Sequence, residues 1–321
     1  MPGDVGQPNS QGILKLLREA WVTGAIEHPN VVPVYDLGLD ADGRPFLAMK
    51  RIRGVEWRSL MTDAARVKAQ FGASDLLEWN LRVLAQVCTA LEFAHQRGIV
   101  HRDLKPENVM IGEQGEVYLV DWGIAVAVDP DADPRLPRLR EEEPMAGTPC
   151  YMAPEMLGGK GARIGRHTDV YLLGAVLFEI VTGFPPHTGS TLQEIIGAIV
   201  VSEVKLPDSV PPELARIVRR AMDPDPHARF ENATQLRLAV SGFLRHQGSR
   251  RLAEEADARR VAIEATLDAH ADGQKVDETT LLGRYSECRF GYQQSLRAWP
   301  ENEAARASLD SLVVKVVEFE L

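Results

Sequence analysis

Between Ile99 and Gly123 the sequence carries polar residues whose types and spacing suit chemistry on a phosphate group. The segment reads I-V-H-R-D-L-K-P-E-N-V-M-I-G and, after a short turn, V-Y-L-V-D-W-G. Its apolar runs predict two short strands, which would deliver Asp103, Asn108 and Asp121 to one rim of the molecule. Phosphoryl transfer mainly requires charged groups placed around the transferred phosphate and its Mg²⁺ ions. The stretch therefore predicts a site for such a reaction.

Each of these polar residues has a chemical role in phosphoryl transfer. Asp103 would accept or orient the proton of an attacking hydroxyl group. Lys105 can reach the oxygens of the transferred phosphoryl group, while Asn108 and Asp121 are hard oxygen ligands of the kind that Mg²⁺ prefers. We therefore predict a catalytic site formed by Asp103, Lys105, Asn108 and Asp121, with Asn108 and Asp121 as the metal ligands.

The same residues resemble the catalytic domain of eukaryotic-type protein kinases, in particular the serine/threonine kinases of bacteria. H-R-D-L-K-P-E-N, from His101 to Asn108, is similar to the catalytic loop of the family. Asp121-Trp122-Gly123 is similar to its metal-binding D-F-G triplet. The resemblance implies an α+β kinase-like fold with a truncated small N-lobe, a mainly helical large C-lobe and a C-terminal helical extension. It also implies ATP and Mg²⁺ as cofactors.

Further residues receive roles only through this resemblance. Thr148, in G-T-P-C-Y-M-A-P-E, is similar to the threonine that contacts the catalytic aspartate in kinases selective for serine and threonine. Glu155 would form a buried, structural pair with Arg229, and Asp169 would hold the backbone of the loop that begins at His101. The implied activity is transfer of the ATP γ-phosphoryl group to Ser or Thr hydroxyls of protein substrates, in bacterial signalling.

The activation segment, which we define as Asp121–Glu155, has an unusual composition. Between Ile124 and Ala146 it contains no Ser, Thr or Tyr. Arg102, which in the family pairs with a phosphate on this segment, would here pair with Glu142 or Glu143. Alternatively, these carboxylates form only a solvated run of charge. We therefore expect activation not to require phosphorylation of the segment.

The residues before the catalytic loop resemble only part of a kinase N-lobe. A helical pattern begins at Ile13, and by resemblance this is the αC helix, whose Glu19 pairs with a strand lysine. The sequence contains no G-x-G-x-x-G loop and no V-A-I-K-like strand before Glu19, and Lys15 suits a surface pair with Glu19 instead. We therefore expect weakly held ATP phosphates, feeble phosphotransfer by Met1–Leu321 and an exposed apolar edge.

A hairpin and a hinge are predicted next. Alternating residues predict strands at Val32–Leu37 and Pro45–Met49. By resemblance Met49 lies at the back of an adenine pocket, the backbone of Lys50 to Ile52 binds the adenine edge, and Met110 also lines the pocket. The Lys50 side chain would then point to solvent.

These patterns divide the chain into four predicted regions: a disordered start (1–12), a residual N-lobe (13–52), a kinase C-lobe (53–245) and a helical tail (246–321). Within the C-lobe, residues that recur at steps of three and four predict a helix ended by Gly98: Leu81, Leu84, Cys88, Leu91 and His95. A second, near-continuously apolar helix is predicted to open at Asp169. The last helix of the C-lobe is predicted at Ala233–Phe243. Helices of the tail are predicted at Arg250–His270, Thr279–Trp299 and Glu303–Glu320. The tail is either one tetratricopeptide-like unit that binds a partner or an extension packed on the large lobe.

Composition excludes several classes of protein. The chain has 321 residues, of which 45% are hydrophobic and 26% charged, with a formal net charge of -10. This charge argues against a nucleic-acid or anionic-membrane binder, because such proteins usually present basic surfaces. No apolar run approaches the roughly 20 residues that cross a bilayer, and the first residues do not resemble a signal peptide. We expect a cytoplasmic protein.

Two alternative functions remain open at this point. One is a kinase-like scaffold, or pseudokinase, that acts through its surfaces. The other is a truncated kinase fragment with little activity as written. The expected partners are a Ser- or Thr-containing protein substrate and a protein that binds the helical tail or the incomplete N-lobe, without nucleic acid and without a membrane.

Overall fold

A computed structural model describes residues 10–140, 142–160, 163–271 and 275–320. In these ranges the α-helices are α1 (Ser10–Gly24), α2 (Ala64–Phe71), α3 (Leu76–His95), α4 (Arg166–Thr182), α5 (Leu192–Val201), α6 (Pro212–Ala221), α7 (Ala233–Ala271), α8 (Glu278–Ala298) and α9 (Glu303–Glu320). The strands are β1 (Val34–Leu39), β2 (Pro45–Met49), β3 (Gly54–Glu56), β4 (Ile99–Val100), β5 (Val109–Gly112), β6 (Val117–Leu119), β7 (Val126–Ala127), β8 (Glu142–Glu143) and β9 (Gly159–Lys160). The predicted α+β class, mainly helical with small sheets, is confirmed.

The start of the chain differs slightly from the prediction. Helix α1 begins at Ser10, three residues before the predicted start at Ile13. Most of the predicted disordered start, residues 1–9, lies outside the described residues. The structure describes nothing before α1, where a glycine loop and a strand lysine would lie. Their absence therefore stays a prediction.

The chain divides into two compact units, Met1–Val240 and Ser241–Leu321. The boundary falls within α7, five residues before the predicted one. The two helices that the sequence predicts on either side of Gly248 are one continuous helix, α7. A glycine inside a helix costs only about 1 kcal/mol, and the next residue, Ser249, is fully buried. The sequence-based break in this helix is therefore wrong.

Helix α3 follows its predicted pattern closely. The Asp75 side chain caps its start by accepting a hydrogen bond from the backbone N–H of Glu78, at 2.9 Å. Its buried face is formed by Leu81, Leu84, Cys88, Leu91 and His95. The helix ends at His95, and the chain then turns at Gly98, whose φ of 72° suits glycine. This turn leads directly into β4 and the catalytic loop.

Helix α4 is the buried centre of the first unit. The prediction that Asp169 opens this helix is wrong. The helix begins at Arg166, so Asp169 lies in its first turn. An apolar run on every face marks it as an internal helix. Gly174 allows α6 to approach closely, because a Cβ atom there would lie 2.7 Å from the Cβ of Ala221. The packing of α4 fixes Asp169 beneath the catalytic loop.

Strands β1 and β2 form the predicted antiparallel hairpin, with Gly38 opposite Phe46. Strand β1 begins and ends two residues later than predicted. Large apolar side chains remain exposed on this hairpin and on α1: Leu14, Trp21, Tyr35, Leu39, Phe46 and Met49. The predicted exposed apolar edge is confirmed for the described residues. An exposed apolar surface of this kind favours association with another protein segment.

The loop after α1 is attached to the sheet that precedes the D-W-G triplet. Strands β3, β5 and β6 form that sheet, with β5 in the middle. The Asn30 side chain donates to the carbonyl of Val117 at 2.9 Å. Its own carbonyl accepts the N–H of Leu119 at 2.7 Å. The loop after α1 is therefore attached to β6, two residues before Asp121.

The second unit has its own small core. Helices α8 and α9 and the later part of α7 contribute Ala253, Ala256, Ile263, Leu281, Cys288, Tyr292, Ala305, Leu312 and Val316. A buried polar cluster accompanies this core, in which Ser249 and Ser295 hydroxyls lie 2.9 Å apart and Asn302 donates to the Ser249 hydroxyl at 3.0 Å. The partner-binding role of this tail stays a prediction. In the described ranges, no helix is long and apolar enough to cross a membrane.

A buried histidine makes stability depend on pH. The Tyr171 hydroxyl lies 2.9 Å from Nε2 of His187, and burial lowers the pKa of His187 from 6.5 to about 4. Between these pH values only the unfolded chain binds the proton, so the folded state loses stability as pH falls from 6.5 toward 4. We expect a loss of up to about 3 kcal/mol.

The measurement is the free energy of unfolding in urea at several pH values between 4 and 7. His187→Gln is the matched control, because glutamine can bond Tyr171 but does not titrate. As pH falls from 6.5 to 4, the variant should lose up to about 3 kcal/mol less of its free energy of unfolding than the parent does. Identical slopes for both proteins would contradict the assignment.

Candidate active site

The catalytic loop is held from below by Asp169. Its carboxylate accepts the backbone N–H groups of His101 at 2.8 Å and of Arg102 at 2.9 Å. Nε2 of His95 lies 2.8 Å from the same carboxylate, and both side chains are fully buried. Burial acts to raise the pKa of Asp169, but the contacts with His95 and His101 outweigh it, and the pKa is lowered. Asp169 is therefore a buried carboxylate that fixes the loop backbone.

Two residues of the site have left-handed backbone conformations that are unusual for residues other than glycine. The φ angles are 73° at Arg102 and 60° at Asp121. Such conformations cost on the order of 1–3 kcal/mol each and persist where neighbouring groups hold them. Asp169 supplies this restraint at Arg102, and the Asp121 carboxylate accepts the N–H of Gly123 at 3.3 Å. The strained positions are the two where polar residues must turn into the site.

Asp103, Lys105 and Thr148 form one hydrogen-bonded group. The Thr148 hydroxyl donates to Oδ1 of Asp103 at 2.7 Å. Nζ of Lys105 donates to the Thr148 hydroxyl at 2.8 Å and lies 3.4 Å from Oδ2 of Asp103. The group is partly open to solvent, with 14% of the Asp103 side chain and 21% of the Lys105 side chain exposed. A carboxylate, an ammonium and a hydroxyl therefore converge where an acceptor hydroxyl could enter.

Asn108 joins this group to the D-W-G triplet. Its side-chain amide N–H donates to the carbonyl of Asp103 at 2.7 Å and lies 3.2 Å from Oδ2 of Asp103. Its backbone carbonyl accepts the N–H of Val120, which precedes Asp121, at 2.9 Å. Mg²⁺ binds proteins through one or two oxygen ligands in addition to substrate phosphates. The donor set of Asn108 and Asp121 fits that ion.

The four residues predicted to bind the nucleotide lie on β2, β5 and the connection after β2. Met49 ends β2 and is 38% exposed, whereas Ile52 and Met110 are half-buried. The sequence predicted that the Lys50 side chain points to solvent. In the structure this side chain instead contacts Tyr118. Its ammonium lies 4.6 Å from the ring centroid of Tyr118 and donates to the Tyr118 hydroxyl. A cation beside an aromatic face explains this difference.

The end of the activation segment is fixed by a buried ion pair. Arg229 donates to both carboxylate oxygens of Glu155, at 2.7 and 3.0 Å. The two side chains are 0% and 5% exposed, and Arg229 also donates to the carbonyl of Asp223 at 2.7 Å. Such bidentate pairs are among the stronger polar contacts in proteins. The pair therefore holds the segment that carries Thr148.

The remaining predicted regulatory residues are only partly described. Glu19 lies on α1 and is half-buried, but the side chains of Lys15, Glu142 and Glu143 lie outside the described residues. A cavity of about 210 Å³ beside Arg102 is lined by Arg18, Arg138 and Arg140 as well. This basic surrounding suits an anionic group. The pairing of Arg102 with Glu142 or Glu143 stays a prediction.

A charged cluster that the sequence did not predict lies beside the catalytic loop. Arg58 donates to Glu107 at 2.8 Å, and its guanidinium also contacts Glu179 and the Tyr151 hydroxyl. Tyr151 in turn donates to Glu179 at 2.6 Å. The cluster joins the catalytic loop, α4 and the activation segment. Its one sequence signal is Glu179, a charged residue within the apolar run of α4.

Comparison with known proteins gives a consistent match. Residues 6–239 match the family described as the protein kinase domain. The chain is 32% identical over 254 residues to serine/threonine-protein kinase PknD of Chlamydia caviae, which covers 73% of this chain and 27% of that protein. It is 32% identical over 235 residues to PknD of Mycobacterium tuberculosis (72% and 33%). For PknB of the same species the identity is 29% over 278 residues (82% and 41%). These matches span less than half of each relative.

Proposed function

The chain belongs to the protein kinase family, and we propose that it transfers the γ-phosphoryl group of ATP to Ser or Thr hydroxyls of proteins. The fold is that of a protein kinase, with a small β-containing N-lobe and a mainly helical C-lobe. The observation that carries the proposal is the contact of the Thr148 hydroxyl with Asp103, at 2.7 Å. It supports an acceptor site shaped around a small aliphatic hydroxyl. The named serine/threonine kinase relatives also support it.

In this proposal each polar residue acts at a defined atom. The Asp103 carboxylate is the base that accepts the proton of the attacking hydroxyl, while its Oδ1 accepts a hydrogen bond from Thr148 at 2.7 Å and its Oδ2 a longer one from Asn108 at 3.2 Å. The Lys105 ammonium neutralises negative charge that develops on the transferred phosphoryl oxygens. Asn108 and Asp121 would hold Mg²⁺, which when bound neutralises the phosphate oxygens. Asp169 keeps the loop in its strained conformation while the reaction proceeds.

We assign adenine binding to Met49, to the backbone of Lys50 and Ile52, and to Met110. Apolar side chains flank a planar base, and backbone groups bond its polar edge. Because ATP is the phosphoryl donor, the proposed reaction belongs to the cytoplasm. The substrate is a protein that presents an exposed Ser or Thr.

Acceptor selectivity tests the proposal. Matched peptides that carry Ser, Thr or Tyr at one position should be phosphorylated only at Ser and Thr. Thr148→Ala should lower kcat/KM for the acceptor by about 10- to 100-fold, because a hydrogen bond to a charged group is worth ~1.5–3 kcal/mol. Thr148→Ser keeps the hydroxyl and is the matched control, with near-parental activity. Equal phosphorylation of the Tyr peptide, or an unchanged Thr148→Ala variant, would contradict the proposal.

A further inference from the structure

Part of the activation segment, residues 129–138, lies against α1. The guanidinium of Arg135 is 4.8 Å from the ring centroid of Trp21 on α1. The Arg135 side chain is held in place by Asp133, to which Nη2 donates at 2.5 Å and Nε at 3.0 Å. The Arg135 side chain is 62% exposed, and a guanidinium beside an indole face is an attractive contact, because the ring face carries negative potential. The segment therefore has a defined contact with the helix that carries Glu19.

An apolar contact accompanies this charged one. Leu136 is only 6% exposed, although it belongs to a loop rich in Asp, Pro and Arg. It lines the same cavity as Trp21 and Ala20 of α1 and Leu37 of β1. A leucine removed from water in this way contributes to holding the loop. The side chains at 135 and 136 thus both engage the region of α1.

The loop is also closed upon itself. The N–H of Ala127 on β7 donates to the carbonyl of Pro137 at 2.7 Å. Nη2 of Arg138 donates to the carbonyl of Ala132 at 2.8 Å, and its Nη1 donates to the carbonyl of Asp129 at 3.3 Å. These bonds fix the loop at both ends of the contact with α1. Its position is therefore set without any modified residue.

We propose that Trp21, Arg135 and Leu136 form a latch that positions α1, and with it Glu19, against the activation segment. Glu19 is two residues from Trp21 on the same rigid helix, so restraint of one residue restrains the other. No Ser, Thr or Tyr lies between Gly123 and Ala146 to receive an ordering phosphate. The latch takes over that ordering through an aromatic ring, a cation and a buried leucine. Its role in catalysis rests on the proposed kinase function, but its existence does not.

Hydrogen exchange of backbone amides tests the latch through its reciprocity, because coupling between two elements acts equally in both directions. Trp21→Ala, a change on α1, should speed exchange in residues 124–140 by about 2- to 5-fold. Leu136→Ala, a change on the loop, should speed exchange in α1 by about tenfold or more. Trp21→Phe keeps an aromatic face and should behave like the parent. Tyr35→Ala is the matched control, since Tyr35 is an aromatic residue that is 69% exposed on the neighbouring hairpin.

Unchanged exchange across the contact in both Trp21→Ala and Leu136→Ala would overturn the latch. If Leu136→Ala fails to fold, the surface variants Trp21→Ala and Trp21→Phe decide alone.

The positioning role has its own readout. In Trp21→Ala, kcat should fall by about 2- to 5-fold with KM for the protein acceptor unchanged, and Trp21→Phe should restore it. Faster exchange with an unchanged kcat would overturn the positioning role, whereas absence of activity in every variant would count against the kinase function and leave the exchange result standing.

Discussion

Asp103→Asn is expected to lower the rate of phosphoryl transfer by ~10²- to 10⁴-fold, the usual contribution of a general base. The substitution replaces one carboxylate oxygen by an amide group of the same shape. The remaining oxygen can still accept the hydrogen bond that Thr148 donates to Oδ1. The geometry of the loop should therefore survive, while the group that accepts the proton is lost.

The measurement is kcat with a Ser or Thr peptide at saturating ATP and Mg²⁺. Asp42→Asn is the matched control, because Asp42 is an exposed carboxylate in the β1–β2 turn, with 68% of its side chain accessible. It should keep the parental rate. Near-parental activity of Asp103→Asn would remove Asp103 from the mechanism.

Asp169→Ala is expected to have the largest effect on stability. It leaves the N–H groups of His101 and Arg102 without their buried acceptor and removes the partner of His95. Removing one partner of a buried, hydrogen-bonded charge typically costs ~3–5 kcal/mol. The strained conformation of Arg102 should relax, and catalysis should fall with it. Asp169→Asn, which retains one acceptor oxygen, should lie between the parent and Asp169→Ala.

The free energy of unfolding in urea at pH 7 measures this effect. The lowered pKa of Asp169 means that its contribution is complete above the unfolded pKa of about 3.9 and is lost as pH falls through the folded value. At pH 7 the full contribution is therefore present. A loss below about 1 kcal/mol for Asp169→Ala would show that the loop does not depend on this carboxylate.

The sequence predicted those parts of the fold that depend on local pattern. Helices α3, α8 and α9 follow from their apolar periodicity, and the β1–β2 hairpin follows from its alternation and its turn at Gly43. The short interval between Asp103 and Asn108 fixes how they meet, because only the intervening loop separates them. Residues that are this close in the sequence are positioned by the local backbone, so a short motif predicts their relative placement.

Contacts between distant segments were not predictable in the same way. Arg58 meets Glu179 across 121 positions, and Trp21 meets Arg135 on another element. No local pattern encodes such pairs, since they arise only when the lobes of the fold are packed. The same reason applies to Lys50, which finds Tyr118 across 68 positions. For α7, packing around Ser249 outweighed the local preference of Gly248 to end a helix.

The decisive measurement of the proposed activity is transfer of label from γ-labelled ATP to a general protein acceptor. Residues 1–321 are incubated with Mg²⁺, acceptor protein and ATP, and the labelled amino acid is identified after hydrolysis. We expect phosphoserine and phosphothreonine above the background given by Asp103→Asn. Label on tyrosine alone, or label that does not exceed that background, would contradict it.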